Sequence, residues 1–576
     1  MDEKPKSIWK KSWTGWRGLL LGWLILMAVF LVCLLFLVSL TGTPAAKSGE
    51  ELRLLGVIGV VVTLIFLLAA FIRWLCCWRN VKRSLFALAC FATLTALFYA
   101  EENWRGKRAW EKFRHEWEAK GEHFDFASVI PPPVPDDQNF AMAPVVASCY
   151  ERILDKNGKR VNDTNVVNRL EFDLGDDYGY RTNGRGNWPS GTMADLKSRL
   201  ELFAAQTNLF SVPSPIQSPA HDVLQVLGKF AATVEELRQA SQLPESRFPL
   251  NYDTECPAAI LLPQLAAMKS SIQLLQLRTL AELQNGQPEK ALADVKLMLR
   301  LIEAIRTEPF LISQLVRIAM WQITLQPIYE GLAEHRWSDA ELVAMDAEVE
   351  KMDFLTDYKF SIRGEIGLHS GIVEYLRRHP GELANMTSDR DQGDNSSSAP
   401  ARFFPDGWFY QNLLRSSRFM VLYYLPTVDL KQRAVSKSLM RQADEAFGEE
   451  IRHITPYNFL ERVLLPALGS AAKKFANAQS SVDLARTAIA LERYRLAHGE
   501  FPDSLDALAP QFLEKIPHDV IGGQPLKYRR EAGGQFVLYS VGWNEKDDGG
   551  VVIFKKGSSS EVDINQGDWV WRYPAK

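Results

Sequence analysis

Residues 481–517 read SVDLARTAIALERYRLAHGEFPDSLDALAPQFLEKIP, and their parsing decides the fold of the C-terminal part. Val482, Ala485, Ile489 and Leu496 form one apolar stripe at helical spacing, and Leu484, Ala488 and Leu491 form a second. Gly499 follows as the C-cap, because glycine adopts the left-handed conformation without a Cβ clash. Phe501-Pro502-Asp503-Ser504 restarts the chain, with Asp503 or Ser504 placed to cap a short helix through Leu508. After Pro517 the period changes to two. Leu526-Lys527-Tyr528 and Phe536-Val537-Leu538-Tyr539 flank Gly533-Gly534, which predicts a β-hairpin.

This order of long helix, short helix and small antiparallel sheet carries ALERYRLAHGEFPDSLDAL, LYSVG and the late DDGG, VDI and Trp569. Over residues 481–569 it resembles the globular head of type II secretion major pseudopilins. The N-terminus lacks that family's short leader, peptidase site and apolar helix with an early Glu, so filament assembly is not carried over. In major pseudopilins the loop after the final strand folds around a calcium ion. The resemblance implies such a site between Leu538 and Asp563, built from Asn544, Asp547, Asp548, Asp563 and a carbonyl of Leu538 or Val541. Asn544 stands where the family has an aspartate, and Lys555 and Lys556 bring positive charge nearby; both weaken binding. The alternative is a solvated acidic turn whose aspartates cap loop amides.

With 576 residues, the chain exceeds the usual size of one core. Its net charge of −3 gives no basic field for nucleic acid. The apolar residues concentrate at the N-terminus. Residues 19–40 and 54–75 are each long enough to cross a bilayer, and 84–99 forms a third, shorter apolar run. The first run is too long for a signal peptide and has no small-residue cleavage site close behind it. Trp9, Trp13, Trp16, Trp23, Trp74, Trp78 and Trp104 flank the runs as interfacial aromatics do. Lys4, Lys6, Lys10, Lys11 and Arg17 precede the first run, against Lys47 and Arg53 after it. That contrast predicts a cytoplasmic N-terminus and an extracytoplasmic C-terminal region in the cytoplasmic (inner) membrane. Cys33, Cys76, Cys77 and Cys90 lie in or beside the spans. Cys149 and Cys256 remain, as either a disulfide or two separate buried thiols.

Residues 101–120 continue the third span as a charged helix with Trp104, Trp110, Phe113 and Trp117 on one side, before a stiff Pro131-Pro132-Pro133 spacer. Residues 166–174 are predicted as a strand and 195–210 as a helix. From 221 to 378 the chain reads as helical, with Pro288 opening one helix after Gly286, Pro309 opening the next and Ser338-x-x-Glu341 forming a capping box. A polar linker at 381–402, an aromatic segment at 403–424 with core as its expected fate, and a helical run over 430–477 lead to the last module. The segments ENWRGKRAWEKF, IPPPVPDDQNFAMAPV and LLPALGSAAKKFANAQSSVDLAR also resemble an uncharacterised family of bacterial membrane-anchored proteins, which implies the same layout and location.

The expected fold class is therefore membrane-anchored and mainly α. It comprises transmembrane helices (1–100), a juxtamembrane helix with its spacer (101–135), an irregular helical extracytoplasmic domain (136–380), the linker (381–402), a helical segment (403–480) and a small α+β pseudopilin-like module (481–576). No P-loop, GxSxG or HExxH occurs. Glu365 and His369 share a helix face and read as a surface ion pair rather than half of a metal site. His221-Asp222 and His518-Asp519 are chain neighbours and are not expected to face each other. Two functions follow. One is a non-enzymatic envelope protein that binds a protein or polymer partner; the other is an envelope hydrolase with a nonstandard site in the helical region.

Overall fold

The computed structural model describes residues 22–25, 60, 61, 63–68 and 78–576, without 156–158, 162, 175–183, 185, 214–216, 384–398, 466, 467, 532, 559, 560 and 574–576. Within the expected spans 19–40 and 54–75, residues 22–25, 60, 61 and 63–68 are helical; the rest of both spans lies outside the described residues, as does most of the 381–402 linker. The chain divides into two compact units, Met1–Glu101 and Glu102–Lys576. Helix α1 (Trp78–Glu118) runs through the division. Its Val81–Glu118 stretch is, among the described residues, the one helix long and apolar enough to cross a membrane. Leu85, Phe86, Leu88, Phe91, Leu94 and Leu97 are all exposed. The expected third span and the charged helix after it are one uninterrupted element.

The second unit is mainly helical. Helices α2 (Leu196–Ala205), α3 (Pro219–Leu227) and α4 (Ala231–Ala240) are followed by the pair α5 (Gln264–Gln284) and α6 (Pro288–Ala304). Gly286 at φ 72° makes the turn between that pair, and Pro288 fills the first helical position, where a missing N–H costs nothing. Next come α7 (Leu311–Ala333), α8 (Asp339–Val349) and α9 (Phe354–Arg378). Ser338 and Glu341 close the capping box of α8 as expected. Helix α7 begins at Leu311 rather than Pro309, because the intervening Phe310 is extended and forms its N-cap. The Pro309 carbonyl fits against Gly364 of α9, where an added Cβ would lie 1.7 Å from it.

Helix α10 (Asp406–Phe419) ends in a π-helical turn at Met420–Tyr424, and the strand pair β1 (Val428–Asp429) and β2 (Ala434–Val435) follows. The aromatic segment is core: Phe409, Phe419 and Tyr424 are buried. Helix α11 (Lys437–Glu450), a helical turn at Glu461–Leu464 and helix α12 (Ala471–His498) complete the helical part. The expected continuous helix over 430–477 is thus corrected to a hairpin, one helix and one turn, broken at the polar Thr455-Pro456-Tyr457-Asn458 stretch, where Asn458 accepts the Thr455 amide. The expected strand at 166–174 is likewise turn and coil. Its Leu170, Phe172 and Leu174 are buried, so the apolar alternation reports docking rather than pairing.

Helix α12 begins ten residues before the expected start and is the axis of the unit. Ala471, Ala472, Ala476, Ala478, Ala485, Ala488 and Ala490 are all buried. Small side chains on every face let α7, α8 and α9 close in, together with strands of the C-terminal sheet. The two apolar stripes are therefore two faces of one helix, buried up to Leu491, with Leu496 near its end exposed. Gly499 caps it at φ 86°, with its N–H donating to Arg495 O at 2.7 Å.

Strands β3 (Lys527–Glu531) and β4 (Gln535–Ser540) form the predicted hairpin, with Tyr528 opposite Leu538. The pairs β5 (Val552–Phe554)–β6 (Val562–Gly567) and β4–β7 (Trp569–Arg572) complete two small antiparallel sheets. Trp571 packs on Trp188 and Tyr329, which ties the last strand into the helical core. Cys149 and Cys256 are free thiols, so the disulfide alternative is not realised; burial pushes the Cys149 thiol up to about 12.

Candidate functional site

The residues expected to hold calcium sit in a loop that the protein closes with its own side chains. Leu538 is fully buried in β4. Asn544 Nδ2 donates to Asp548 Oδ2 at 2.6 Å, and its Oδ1 accepts the Lys546 amide. Asp547 accepts the Tyr539 hydroxyl at 2.9 Å and lies 3.5 Å from Lys527; the Tyr539 hydrogen bond holds its carboxyl below the usual range. Asp563 stands on β6, where it accepts two hydrogen bonds from Asn565. Among the described residues no three His, Cys, Asp or Glu side chains are grouped so as to hold a metal ion. Asp547, Asp548 and Asp563 are therefore not brought together around one point.

The loop's centre is a residue the sequence reading passed over. Asp568, 1% exposed, accepts the amides of Gly550 at 2.6 Å, Asp548 at 3.2 Å and Val551 at 3.3 Å. Its one sequence signal is an aspartate wedged between Gly567 and the buried Trp569. Asp568→Ala is expected to cost about 2–3 kcal/mol, since it strands three amides at once, and urea denaturation of the full chain measures it. With the loop anion supplied by Asp568, the melting midpoint of the full chain is expected to be the same in calcium and in chelator. A shift that disappears in Asp563→Ala would establish the calcium site instead.

The histidines singled out in the sequence are held structurally. His369 is 2% exposed, and burial pulls its ring down to about 4. Glu365 accepts the Leu311 amide at 3.0 Å, and burial pushes its carboxyl up to about 7. The two make no ion pair among the described residues, and His369 is not on the surface, which corrects the surface-pair expectation. His221 Nδ1 does reach Asp222 Oδ1, at 3.2 Å, because Asp222 folds back to accept the Gln217 amide ahead of α3. That corrects the expectation for chain neighbours. His518 instead meets Gln432 O, while Asp519 accepts Ser540 Oγ and the Val541 amide.

Two grooves open on the second unit. One, of about 300 Å³, lies beside the C-terminal end of α9 and is lined by Tyr252, Glu255, Glu374, Tyr375, Arg378 and His379. Its central carboxylate, Glu374, is held by both Arg377 and Arg378. The other, of about 440 Å³, lies between α10 with its π-turn and α11, with Glu461 beside it. Leu414, Phe419, Leu422, Tyr423 and Ala446 make its apolar wall, and Arg415, Arg418, Glu450 and Glu461 are its charged residues. The π-turn places Leu422 and Tyr423 on the groove, and such turns recur at functional sites.

Arg415 is in direct contact with Glu450. Arg418 is exposed and makes no ion pair among the described residues. Glu461 is 1% exposed, and neither of its carboxyl oxygens has a hydrogen-bond partner. Burial, reinforced by Glu450 and opposed by Arg415, pushes that carboxyl up to about 8. In sequence it is an acid set between Leu460 and Val463-Leu464-Leu465, a signal hidden by the helical reading of this run.

A carboxyl raised in the folded protein keeps its proton where the unfolded chain, at about 4.3, has lost it. Stability is complete below the unfolded value and is lost as pH rises toward about 8. Glu461→Gln has the same shape and cannot ionise. It is expected to match the parent's melting midpoint near pH 4 and exceed it at pH 8. Parallel curves for the two proteins across that range would refute the buried acid.

Comparison with known protein families, curated proteins and solved structures found no match.

Proposed function

We propose that this chain is a membrane-anchored, non-enzymatic binding protein that takes a small ligand in the groove between α10 and α11. The observation that carries the reading is the buried Glu461 beside that groove, whose two oxygens have no partner. Native proteins satisfy nearly all buried polar groups, and exceptions cluster where function requires them. The groove's volume falls within the range of small-molecule sites, and its apolar wall with a few polar groups has their composition. No Ser, Cys, Lys or His lines it, so the wall carries no Ser–His or Cys–His pair.

The exposed apolar half of α1 supports an anchor, and the charge contrast across residues 19–40 supports an extracytoplasmic second unit with three spans before it. A C-terminal reporter active only in the cytoplasm would overturn that topology. The C-terminal α+β part, with its hairpin and Gly499 cap, is the portion for which we retain a pseudopilin-like role in contacting an envelope partner.

Melting the full chain in lipid nanodiscs with octanoate, octylamine or 1-octanol tests the binding reading. At least one is expected to raise the midpoint of the parent and none that of Ala446→Trp, which fills the groove. No shift with any of the three, or equal shifts in both proteins, overturns it. One observation favours a hydrolase as second reading: two carboxyl groups, Glu450 and Glu461, line one groove, and burial pushes Glu461 toward holding its proton. Ester or glycoside turnover lost in Glu461→Gln with binding retained would establish it.

A further inference from the structure

We propose that the α10–α11 groove binds a single-tailed amphiphilic monoanion, a carboxylate on an apolar chain, with Arg418 on the head and Leu414, Phe419, Leu422 and Tyr423 along the tail. This rests on the binding reading above and adds the ligand's chemical class.

The charge balance of the groove selects the head. Four charged residues line it. Arg415 and Glu450 contact each other and cancel. Glu461, which faces Arg415 on α10 and Glu450 on α11, holds its proton at neutral pH and adds no charge. Arg418 is left, exposed and without an ion pair among the described residues. The net charge is one positive, which a monoanion neutralises. A phosphate monoester carries about −1.5 to −2 at neutral pH and would leave negative charge uncompensated. An ammonium would meet Arg418 as a like charge. Guanidinium also presents parallel N–H donors that match both oxygens of a carboxylate.

The wall selects the tail. Leu422 is 39% exposed on the groove, next to the half-buried Leu414 and Tyr423, and Phe419 packs against Tyr423 with tilted rings whose centroids are 4.8 Å apart. Covering such a strip gains about 25 cal/mol per Å² of apolar surface, and a branched or polar ligand would forgo it. The acid beside the groove then has a reason to be buried. Protonated, Glu461 leaves the anion unopposed; ionised, it repels it.

Calorimetric titration of the full chain in lipid nanodiscs at pH 7, corrected with empty discs, tests the assignment. Octanoate is expected to bind at least tenfold tighter than octylamine. Arg418→Gln, an exposed substitution that leaves the fold intact, is expected to weaken octanoate about tenfold and leave 1-octanol unchanged. Raising the pH to 9 is expected to weaken octanoate in the parent and not in Glu461→Gln. Octylamine binding as tightly as octanoate, or Arg418→Gln leaving octanoate unaffected, overturns the anion and leaves the binding reading standing. Absence of binding by all three probes removes both.

Discussion

Arg317→Ala lowers the stability of the second unit by about 3–5 kcal/mol, the usual cost of removing one partner from a buried ion pair. The side chain is fully buried and makes hydrogen bonds in every direction available to it. Its Nε donates to Ile302 O at 2.9 Å, one terminal nitrogen to Gln314 Oε1 and Asp357 Oδ2, and the other to Glu303 Oε1 at 2.6 Å. Three helices, α6, α7 and α9, meet on this guanidinium. Asp357 is itself buried and keeps only Arg306, at 3.1 Å, when Arg317 is gone. The loss should read as a shift of the urea midpoint with an unchanged slope. Arg317→Met combined with Asp357→Leu is expected to recover at least half of it, because two apolar side chains of similar volume leave no charge stranded. A single-mutant cost below about 1 kcal/mol, the level of an exposed pair, would show that the network carries no such weight.

Trp321→Ala is expected to cost a similar 3–5 kcal/mol through the cavity that a fully buried indole leaves. Trp321 stands on α7 at its contact with α12, and its Nε1 donates to Ser481 Oγ at 2.8 Å. Trp321→Phe retains most of the packing and gives up that hydrogen bond, at about 1 kcal/mol. If the two variants melt alike, the hydrogen bond rather than the cavity sets the cost, and the packing account fails.

What could be read from the sequence divides along chain separation. The Ser338 capping box, the Gly286-Gln287-Pro288 turn, the Gly499 cap and the hairpin around Gly533-Gly534 are each decided within a few residues, and each is found where the pattern puts it. The candidate groove is the opposite case. Arg415, Glu450 and Glu461 come from three elements, and nothing in the local pattern around any of them marks the others. Glu461 in particular looks like any helical glutamate until the fold removes its solvent. Among the described residues Asp547, Asp548 and Asp563 do not form one cluster, for a related reason. A family pattern fixes where acids occur along the chain, whereas Asp568, one strand later, had already taken the amides around which the loop turns. The small residues of α12 were legible as a helix; that most of the helix is buried followed only from the elements that close on it.

The position of α12 has a consequence for how the chain is made. The helix that α7, α8 and α9 enclose starts at Ala471, and Trp571, which covers Trp188 and Tyr329, comes one hundred residues later. Translation from Tyr358 to Trp571 takes on the order of ten to forty seconds at ordinary elongation rates. Throughout that time the helices already released present Trp321, Tyr329 and Tyr358, all buried at completion, to whatever surrounds the nascent chain. The unit cannot close from its N-terminal side inward, as consecutive domains do; its enclosure waits for residues 471–571. A chain cut before Trp571 therefore leaves Trp188 and Tyr329 without the indole that covers them.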